Sequence, residues 1–329
     1  MPVRAARLPQ DIPALIDVTL KAFQYPDHPE WSVQADEKEA IVDQLRSLRR
    51  LWPALSVMQR VSPTFRDLFS ALVWEEDGAP VGNVFIMRLG DSARYEIANV
   101  AVLPAYRRRG IARQLVEAAI TLGRERKAAS LTLDVIAGNL PAVTLYTSLG
   151  FTRYVDTVTL SHPQDTSAPA IPLPEGYTQS QTSFANWRPR YELAKRITPA
   201  EVVALDPVAE DEYRVAPAER ITTMIFAPLS GIRPRQLMIR ASDGAPVSVT
   251  RYFARTRPGG VTNCWPLLDP AHAELAPWLI RTLRQSLQQQ SPGRRLEMIV
   301  PDWQQSLIMA ALAEGFTERE RNSKMLKTL

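Results

Sequence analysis

The sequence contains a single cysteine, Cys264, and only three histidines, which lie far apart at positions 28, 162 and 272. One cysteine excludes an internal disulfide framework, and the histidines lack the close spacing of metal ligands. We therefore expect a cytoplasmic protein that binds no metal. The longest apolar stretches fall short of the roughly 18 residues that a membrane helix needs. The N-terminus also lacks the apolar run of a signal peptide, so neither export nor membrane insertion is predicted.

The chain contains 39 lysines and arginines and 35 aspartates and glutamates, so neither sign of charge dominates and the net charge is +4. This mixture attracts anions weakly and does not by itself indicate a nucleic-acid partner. The apolar share of 45% is that of an ordinary globular protein. A chain of 329 residues is longer than most chains that fold around a single hydrophobic core, so about two domains are expected.

Two short segments occur twice in the chain with nearly the same spacing. The pentapeptide Asp77–Val81 recurs at Asp243–Val247, 166 residues later, and Gly150-Phe151 recurs as Gly315-Phe316, 165 residues later. Matching offsets at two landmarks this far apart in each copy indicate an ancient duplication.

Each copy predicts the same order of elements: helices, an antiparallel hairpin around an Asp-Gly turn, and then a βαβ unit. The first copy begins with helices at Asp11–Phe23 and Gln34–Leu51. Its later elements are a strand at Tyr95–Val102, a helix at Ile111–Lys127, a strand at Ser130–Ile136, a helix at Pro141–Leu149 and a strand at Phe151–Leu160. The second copy repeats the hairpin at 235–255, and then strand, helix, strand and helix at 261–268, 274–290, 294–301 and 303–316. We expect an α+β fold class, with two similar domains that each have a mixed, mainly antiparallel sheet flanked by helices.

The segment between the two copies, His162–Gly176, contains four prolines, at positions 163, 169, 172 and 174. Prolines at this density favour an extended, semi-rigid linker. The sequence therefore predicts a first domain at 1–162, a linker at 163–176 and a second domain at 177–329.

A candidate phosphate-binding segment, Arg107–Ala112, joins the middle strand of the first copy to an amphipathic helix. The first amides of a helix lack intrahelical partners and carry partial positive charge, so they can bind a pyrophosphate. Gly110 and Ala112 leave this backbone accessible, and the three arginines add attraction for phosphate. A solvated basic helix start is the alternative interpretation. Gly110 weighs against it, since a glycine in the first turn costs about 1 kcal/mol of helix propensity relative to alanine.

At these residues the sequence resembles the GNAT superfamily of N-acetyltransferases. The family motif Arg/Gln-x-x-Gly-x-Gly/Ala, after a strand that ends in Val-x-Pro, is matched by Val102-Leu103-Pro104 and by Arg107, Gly110 and Ala112. A second family pattern is matched by Asn139, Ala142, Leu145, Tyr146, Gly150 and Phe151. The resemblance is strong over residues 70–160 and weak over residues 1–65. It implies a tandem GNAT fold, and transfer of an acetyl group from acetyl-CoA to a primary amine of a small molecule or peptide. Transfer would go by direct attack in a ternary complex, in a monomer or homodimer.

The resemblance also implies a set of site residues. Those expected to hold acetyl-CoA are Val100, Ala101, Val102, Arg107, Arg108, Arg109, Gly110, Ile111, Ala112, Asn139, Ala142 and Tyr146. A main-chain N–H near Val102 would stabilise the oxyanion, where the strand parts from its neighbour. Asn139 either orients the cofactor or caps the following helix, and the sequence does not decide between these two roles.

Two side chains are candidates for proton transfer. Tyr146 lies at the general-acid position of the family; the alternative is a packed helix tyrosine with its hydroxyl at the surface. Glu96 precedes Val102 by six residues and shares its side of a regular strand, where some family members carry a general base. The alternative for Glu96 is a solvated glutamate at a strand start.

The second copy has lost the phosphate-binding segment. An offset of 166 aligns Ala273–Trp278 with Arg107–Ala112, so that Gly110 corresponds to Ala276 and the arginines are absent. Glu274 would repel phosphate, and Pro277 lacks an amide hydrogen. Tyr146 corresponds to Ala311 at an offset of 165. We therefore predict a degenerate second domain that binds no coenzyme A.

Other functions fit the sequence less well. A non-catalytic acyl-CoA-binding or regulatory protein would keep the Gly110 segment, although Tyr146 and Glu96 favour an enzyme. A nucleic-acid binder is disfavoured because no aromatic residues are interleaved with the arginine run. The acceptor is not encoded in any motif. Acidic residues near the first helices would attract a cationic amine, or are solvated helix faces; they are Asp27, Glu30, Asp36, Glu37 and Glu39.

Overall fold

The structure is a computed structural model that describes residues 3–39, 41–42, 52–53, 56, 70–90, 92–163, 169–215, 220, 223–224, 227, 231–256 and 260–329. The chain forms two compact units. The first contains Met1–Arg153 and Ser323–Leu329, and the second contains Tyr154–Asn322. These units differ from the sequential domains expected from the sequence, since residues 154–162 pack in the second unit and residues 323–329 in the first. The boundary at 162–176 remains a prediction about the duplication.

The first unit is a mixed sheet with helices packed on it. Its strands are β1 (Val3–Ala5), β2 (Ser70–Glu76), β3 (Ala79–Arg88), β4 (Arg94–Val102), β5 (Ser130–Ile136) and the first residues of β6 (Thr152–His162), and its helices include α1 (Ile12–Ala22), α2 (Ile111–Glu125) and α3 (Leu140–Ser148). Strands β1 to β4 pair antiparallel, and β5 joins β4 in parallel after α2. Of the predicted helix at 34–51, residues 35–39 and 41–42 are helical and residues 43–51 lie outside the described residues.

Helix α2 forms because an apolar stripe repeats at helical spacing. Ile111, Leu115, Val116 and Ala119 are buried, and the helix packs on β3 and β4. The β2–β3 turn uses Asp77 and Gly78, both at positive φ, as a tight Asp-Gly hairpin requires. Packing on this sheet fixes the position of the N-terminus of α2 at the end of β4.

The second unit repeats this architecture. Its strands are most of β6, β7 (Tyr177–Thr182), β8 (Ile232–Ala241), β9 (Pro246–Arg255), β10 (Thr262–Leu268), β11 (Leu296–Pro301) and the first part of β12 (Thr317–Thr328), and its helices include α4 (Arg188–Ile197), α5 (Ala200–Leu205), α6 (Glu210–Tyr213), α7 (Ala276–Gln290) and α8 (Gln305–Ala313). Strands β7 to β10 are antiparallel, and β11 runs parallel to β10. The predicted α+β fold class with two similar halves is confirmed.

The last strand of each unit comes from the other half of the sequence. In the second unit, β6 pairs antiparallel with β11, from Thr157 opposite Pro301 to His162 opposite Leu296. In the first unit, the amide of Leu329 donates to the carbonyl of Ala129.

Strand pairing retains a trace of the duplication. The register of β2 and β3 shifts between Trp74 and Glu75, and that of β8 and β9 shifts between Ile239 and Arg240. The two irregularities are 165 residues apart, the same offset as the Gly-Phe pair. Within the described residues, no helix is both long and apolar enough to cross a membrane.

Candidate active site

A cleft of about 650 Å³ opens in the first unit, between the end of β4, the starts of α2 and α3, and the segment that follows α1. It brings together most of the residues predicted for the cofactor. Those that line it are Val100, Ala101, Val102, Arg107, Arg108, Gly110, Ile111, Ala112, Asn139, Ala142 and Tyr146. Two predicted residues, Arg109 and Glu96, are not among the residues that line it.

The cleft exists because β4 and β5 separate. Their parallel pairing runs only from Arg94 opposite Ser130 to Ile97 opposite Leu133, although both strands continue. Beyond Ile97, a β-bulge places two residues of β4 opposite one of β3, and its first residue, Asn99, has φ 52. A bulge bends a strand and disrupts its ladder, so the end of β4 turns away from β5.

The bulge also corrects the predicted orientation of Glu96. Tyr95 and Ile97 pack in the same core cluster as Val102, on the α2 side of the sheet. Glu96 lies between them, so its side chain points to the opposite face by strand alternation. The prediction that Glu96 shares the side of Val102 is therefore wrong, because the extra residue of the bulge reverses the alternation.

Glu96 lies in a polar row on that opposite face. It is paired in register with Thr132 of β5, and Asp134 is two residues further along β5. Asp134 forms an ion pair of 3.0 Å with Lys324. Burial raises the pKa of Glu96, the Asp134 carboxylate raises it further, and Lys324 acts in the opposite direction.

Gly110 has a different structural role from the one predicted. It is the N-cap of α2 rather than a residue of its first turn, and its φ of 77 lies in the left-handed region. The backbone conformation by itself therefore favours glycine. No heavy atom lies within 4 Å of the position that a Cβ would take, so the space above this backbone is open.

Arg107 lines the cleft and is also held by two main-chain carbonyls. Its Nη2 donates to the carbonyl of Ala22 at 2.6 Å, and its Nε donates to the carbonyl of Val102 at 3.3 Å. The residue thus links the end of α1 to the end of β4.

The other two arginines of the run differ from each other. Arg109 donates to Glu76 at 3.0 Å and lies over the ring of Tyr106. Arg108 has φ 66, is exposed and lines the cleft. Among the described residues, no side-chain partner of Arg108 is found. Arg108 is therefore the arginine of the run whose guanidinium makes no contact among the described residues and can turn toward a ligand.

Tyr146 is buried at 7% exposure, and its ring packs edge-on against Phe151. Burial raises the pKa of its phenol, and the neighbouring Tyr25 raises it further. The phenol is therefore protonated at neutral pH. Asn139 caps α3, with its Oδ1 accepting from the amide of Ala142 at 3.3 Å.

Sequence reasoning missed the aromatic residues that complete the cleft. The aromatic residues that follow α1 line the cleft together with Phe23; they are Tyr25, His28 and Trp31. The rings of His28 and Trp31 stack with centroids 3.8 Å apart, and Tyr25 meets Trp31 edge-on at 5.9 Å. Tyr25, His28 and Trp31 recur at every third position but lie between the predicted helices, so only their aromatic content could have drawn attention to them.

The matching region of the second unit has a different geometry. Strands β9 and β10 pair without a register shift from Cys264 to Leu268, so β10 lacks the bulge of β4 there. Ala276, the counterpart of Gly110, has right-handed helical φ and ψ. Glu274 accepts a hydrogen bond from the hydroxyl of Tyr177.

The chain's own linker covers the start of α7 in the second unit. The indole of Trp278 donates to the carbonyl of Ile171 at 3.1 Å, and Ile171 and Leu173 pack against the core. Trp278 is the counterpart of Ala112, and its bulky buried ring replaces a small residue of the first-unit cleft.

Together, the parted strands, the bulge and the helix entered through a left-handed glycine define the class of the first unit as an acetyltransferase fold of the GNAT type. Residues 38–151 match the acetyltransferase (GNAT) family. The match lies within the first half of the chain and supports an acetyltransferase of the GNAT type there.

Known proteins resemble both the first half and the whole chain. A [ribosomal protein bS18]-alanine N-acetyltransferase of Escherichia coli K12 is 47% identical over 53 residues, which are 16% of this chain and 36% of the relative. The chain thus spans about a third of the length of this relative. A tandem GNAT protein from the clavulanic acid biosynthesis pathway matches 99% of this chain with 98% of its own, at 17% identity and a TM-score of 0.64. A GCN5-related N-acetyltransferase from Sphaerobacter thermophilus matches 99% and 96% of the two chains, at 15% identity and a TM-score of 0.61. The predicted tandem GNAT fold is confirmed.

Proposed function

We propose that the first unit transfers an acetyl group from acetyl-CoA to a primary amine of a small molecule or peptide, by direct attack in a ternary complex. One observation carries the proposal: a single cleft combines the bulged end of β4, the open N-terminus of α2 and the phenol of Tyr146.

The residues of the cleft suit a coenzyme A thioester. The open backbone at Gly110 and the unpaired charge of Arg108 would hold the phosphates at the start of α2. The apolar wall of Val100, Ala142 and Leu145 would accompany the chain that leads to the sulfur.

Each step of the transfer then has a group to support it. Acetyl-CoA, when bound, supplies the thioester carbonyl carbon that the amine nitrogen attacks. The main-chain amide near Val102 would donate to the negative charge on the carbonyl oxygen. The Tyr146 hydroxyl would supply the proton that the departing sulfur needs. Glu96 would take the proton of the amine through a water molecule, since its carboxylate lies on the other face of β4 and outside the cleft lining.

We propose further that the second unit binds no coenzyme A. The regular β10, the right-handed Ala276 and the ring of Trp278 support this interpretation, since each removes a feature of the first-unit cleft. One acetyl-CoA is therefore expected per chain, with catalysis confined to the first unit.

A screen for acceptors tests the proposal. The full chain with acetyl-CoA is supplied with amino acids, polyamines, aminoglycosides and peptides with N-terminal alanine, and release of free coenzyme A is followed. Peptides are included because the bacterial relative is named for an alanine acceptor. We expect at least one amine to accelerate release above the amine-free rate. Tight binding of acetyl-CoA with no acceleration by any amine would favour the non-catalytic alternative.

A further inference from the structure

The guanidinium of Arg107 lies at the C-terminus of α1. Ala22 is the last residue of that helix, and its carbonyl is one of those that a helix leaves without an intrahelical partner. The 2.6 Å hydrogen bond from Arg107 satisfies this carbonyl, and a cation is favourable at this end of a helix. A second bond, to the carbonyl of Val102, fixes the same guanidinium to the strand that lines the cleft.

The segment that Arg107 holds is the Phe23–Val33 loop, which carries the aromatic residues of the cleft. The amide of Val33 donates to the carbonyl of Phe23, and the amide of Tyr25 donates to the hydroxyl of Ser32 at 2.8 Å. These bonds close the loop on itself, directly after the end of α1.

A second contact holds the far end of the Phe23–Val33 loop. A Cβ added to Gly138 would lie 2.7 Å from the ring of Trp31, so the indole packs directly on this backbone. Gly138 directly precedes Asn139, the N-cap of α3. The Phe23–Val33 loop is therefore fixed to two elements of the cofactor cleft, by Arg107 at one end and by Trp31 at the other.

We propose that Arg107 is a positioning residue, which holds the Phe23–Val33 loop at the wall of the cleft, and that Arg108 is the arginine that attracts the phosphates of the cofactor. The inference rests on the proposed binding of acetyl-CoA in this cleft. It assigns different roles to two adjacent residues, Arg107 at a defining position of the family motif and Arg108 at a variable one, because only Arg107 is held by main-chain carbonyls.

Two matched variants of the full chain, Arg107→Gln and Arg108→Gln, separate these roles, because each removes one positive charge. Calorimetry with acetyl-CoA at low and high salt measures the Kd and the electrostatic contribution to binding, which salt screens. Hydrogen exchange of amides 23–33 measures how firmly the loop is held. We expect Arg107→Gln to keep the acetyl-CoA Kd within about twofold and to speed loop exchange by about tenfold or more. We expect Arg108→Gln to raise the Kd by about fivefold, to weaken its salt dependence and to leave loop exchange unchanged.

The opposite pattern would overturn the inference: Arg107→Gln weakens binding with reduced salt dependence, and amides 23–33 exchange as in the wild type. Should Arg107→Gln fail to fold, Arg107→Lys keeps the charge and loses the forked donors, and the same two measurements apply. NMR of the arginine Nε–H groups in the wild type gives an independent result. Acetyl-CoA should leave the Arg107 signal in place and shift that of Arg108; a shift of Arg107 alone would contradict the assignment. Absence of any acetyl-CoA binding to the wild type would instead contradict the proposed function.

Discussion

The side-chain amide of Asn83 donates a 2.9 Å hydrogen bond to the main-chain carbonyl of Asn99, across the bulge that opens β4. Asn83 is fully buried, and Asn99 holds a left-handed φ of 52. The side chain of Asn99 in turn donates to the hydroxyl of Thr19 on α1 at 2.9 Å. These bonds stabilise a backbone conformation that strand pairing alone would not adopt, so Asn83 supports the shape of the cleft without lining it.

The variant Asn83→Ala should therefore weaken both folding and cofactor binding. Loss of a buried hydrogen-bond donor is expected to cost about 1–3 kcal/mol of unfolding free energy. Urea unfolding and acetyl-CoA calorimetry measure the two effects. Gln236→Ala is the matched control, because it removes a fully buried amide of the second unit that donates to Thr182 and Asn186. The control should lose comparable stability and keep its acetyl-CoA affinity; equal loss of affinity in both variants would mean that the effect is one of general stability.

Replacing Tyr146 by phenylalanine should reduce turnover and leave cofactor affinity nearly unchanged. The phenol is protonated because burial raises its pKa, and removal of a general acid typically lowers the rate by about 10²–10⁴-fold. Steady-state kinetics with the acceptor from the screen, together with acetyl-CoA calorimetry, provide the test. Tyr106→Phe removes another hydroxyl from the same cleft and should retain wild-type turnover. A Tyr146→Phe enzyme with wild-type kcat would show that the departing thiolate receives its proton elsewhere.

The raised pKa of Glu96 predicts how stability depends on pH. The native state holds the proton of Glu96 more tightly than the unfolded state, since burial and Asp134 disfavour the carboxylate. The stabilising contribution of this group is present below the unfolded pKa and is lost as pH rises through the native pKa. Glu96→Gln should therefore unfold at a higher temperature than the wild type near about pH 8, and the difference should shrink below about pH 4. Equal melting curves at both values would contradict the assigned environment.

The same residue predicts the pH dependence of the rate. A general base must be ionised, so kcat/KM of the wild type should increase as pH rises through the raised pKa of Glu96. Glu96→Gln should remove this acidic limb and lower the plateau. An unaltered profile in the variant would place the base elsewhere or require an amine that binds already neutral.

The local elements could be predicted from the sequence because each depends on nearby residues. The stripe of Ile111, Leu115 and Ala119 gives α2, and the repeated Asp-Gly pair gives both hairpins. The bulge could not be predicted, because the conformation of Asn99 depends on a buried side chain 16 residues earlier. The error on Glu96 followed directly, since alternation assumes a strand without an extra residue.

The hydrogen-bond partner of Arg107 could not be predicted for a related reason. Its partner is the carbonyl of Ala22, 85 residues away, and the motif that identifies Arg107 carries no information on where α1 ends. The exchange of the last strands could not be predicted either. Strands β6 and β12 both follow a Gly-Phe pair, so the local sequence does not say which of the two sheets each strand completes. Long-range pairing of this kind depends on tertiary packing rather than on local propensity.

We propose that one acetyl-CoA binds each chain, at the Gly110 backbone of the first unit. Titration calorimetry of the full chain with acetyl-CoA tests it most directly, using the wild type, Gly110→Glu and Gly244→Glu. Both glycines have positive φ and open space at the Cβ position, so the two substitutions impose similar strain, but only Gly110 lines the cleft. We expect one site per chain in the wild type and in Gly244→Glu, and no binding in a folded Gly110→Glu variant. Two sites per chain, or undiminished binding by Gly110→Glu, would contradict it.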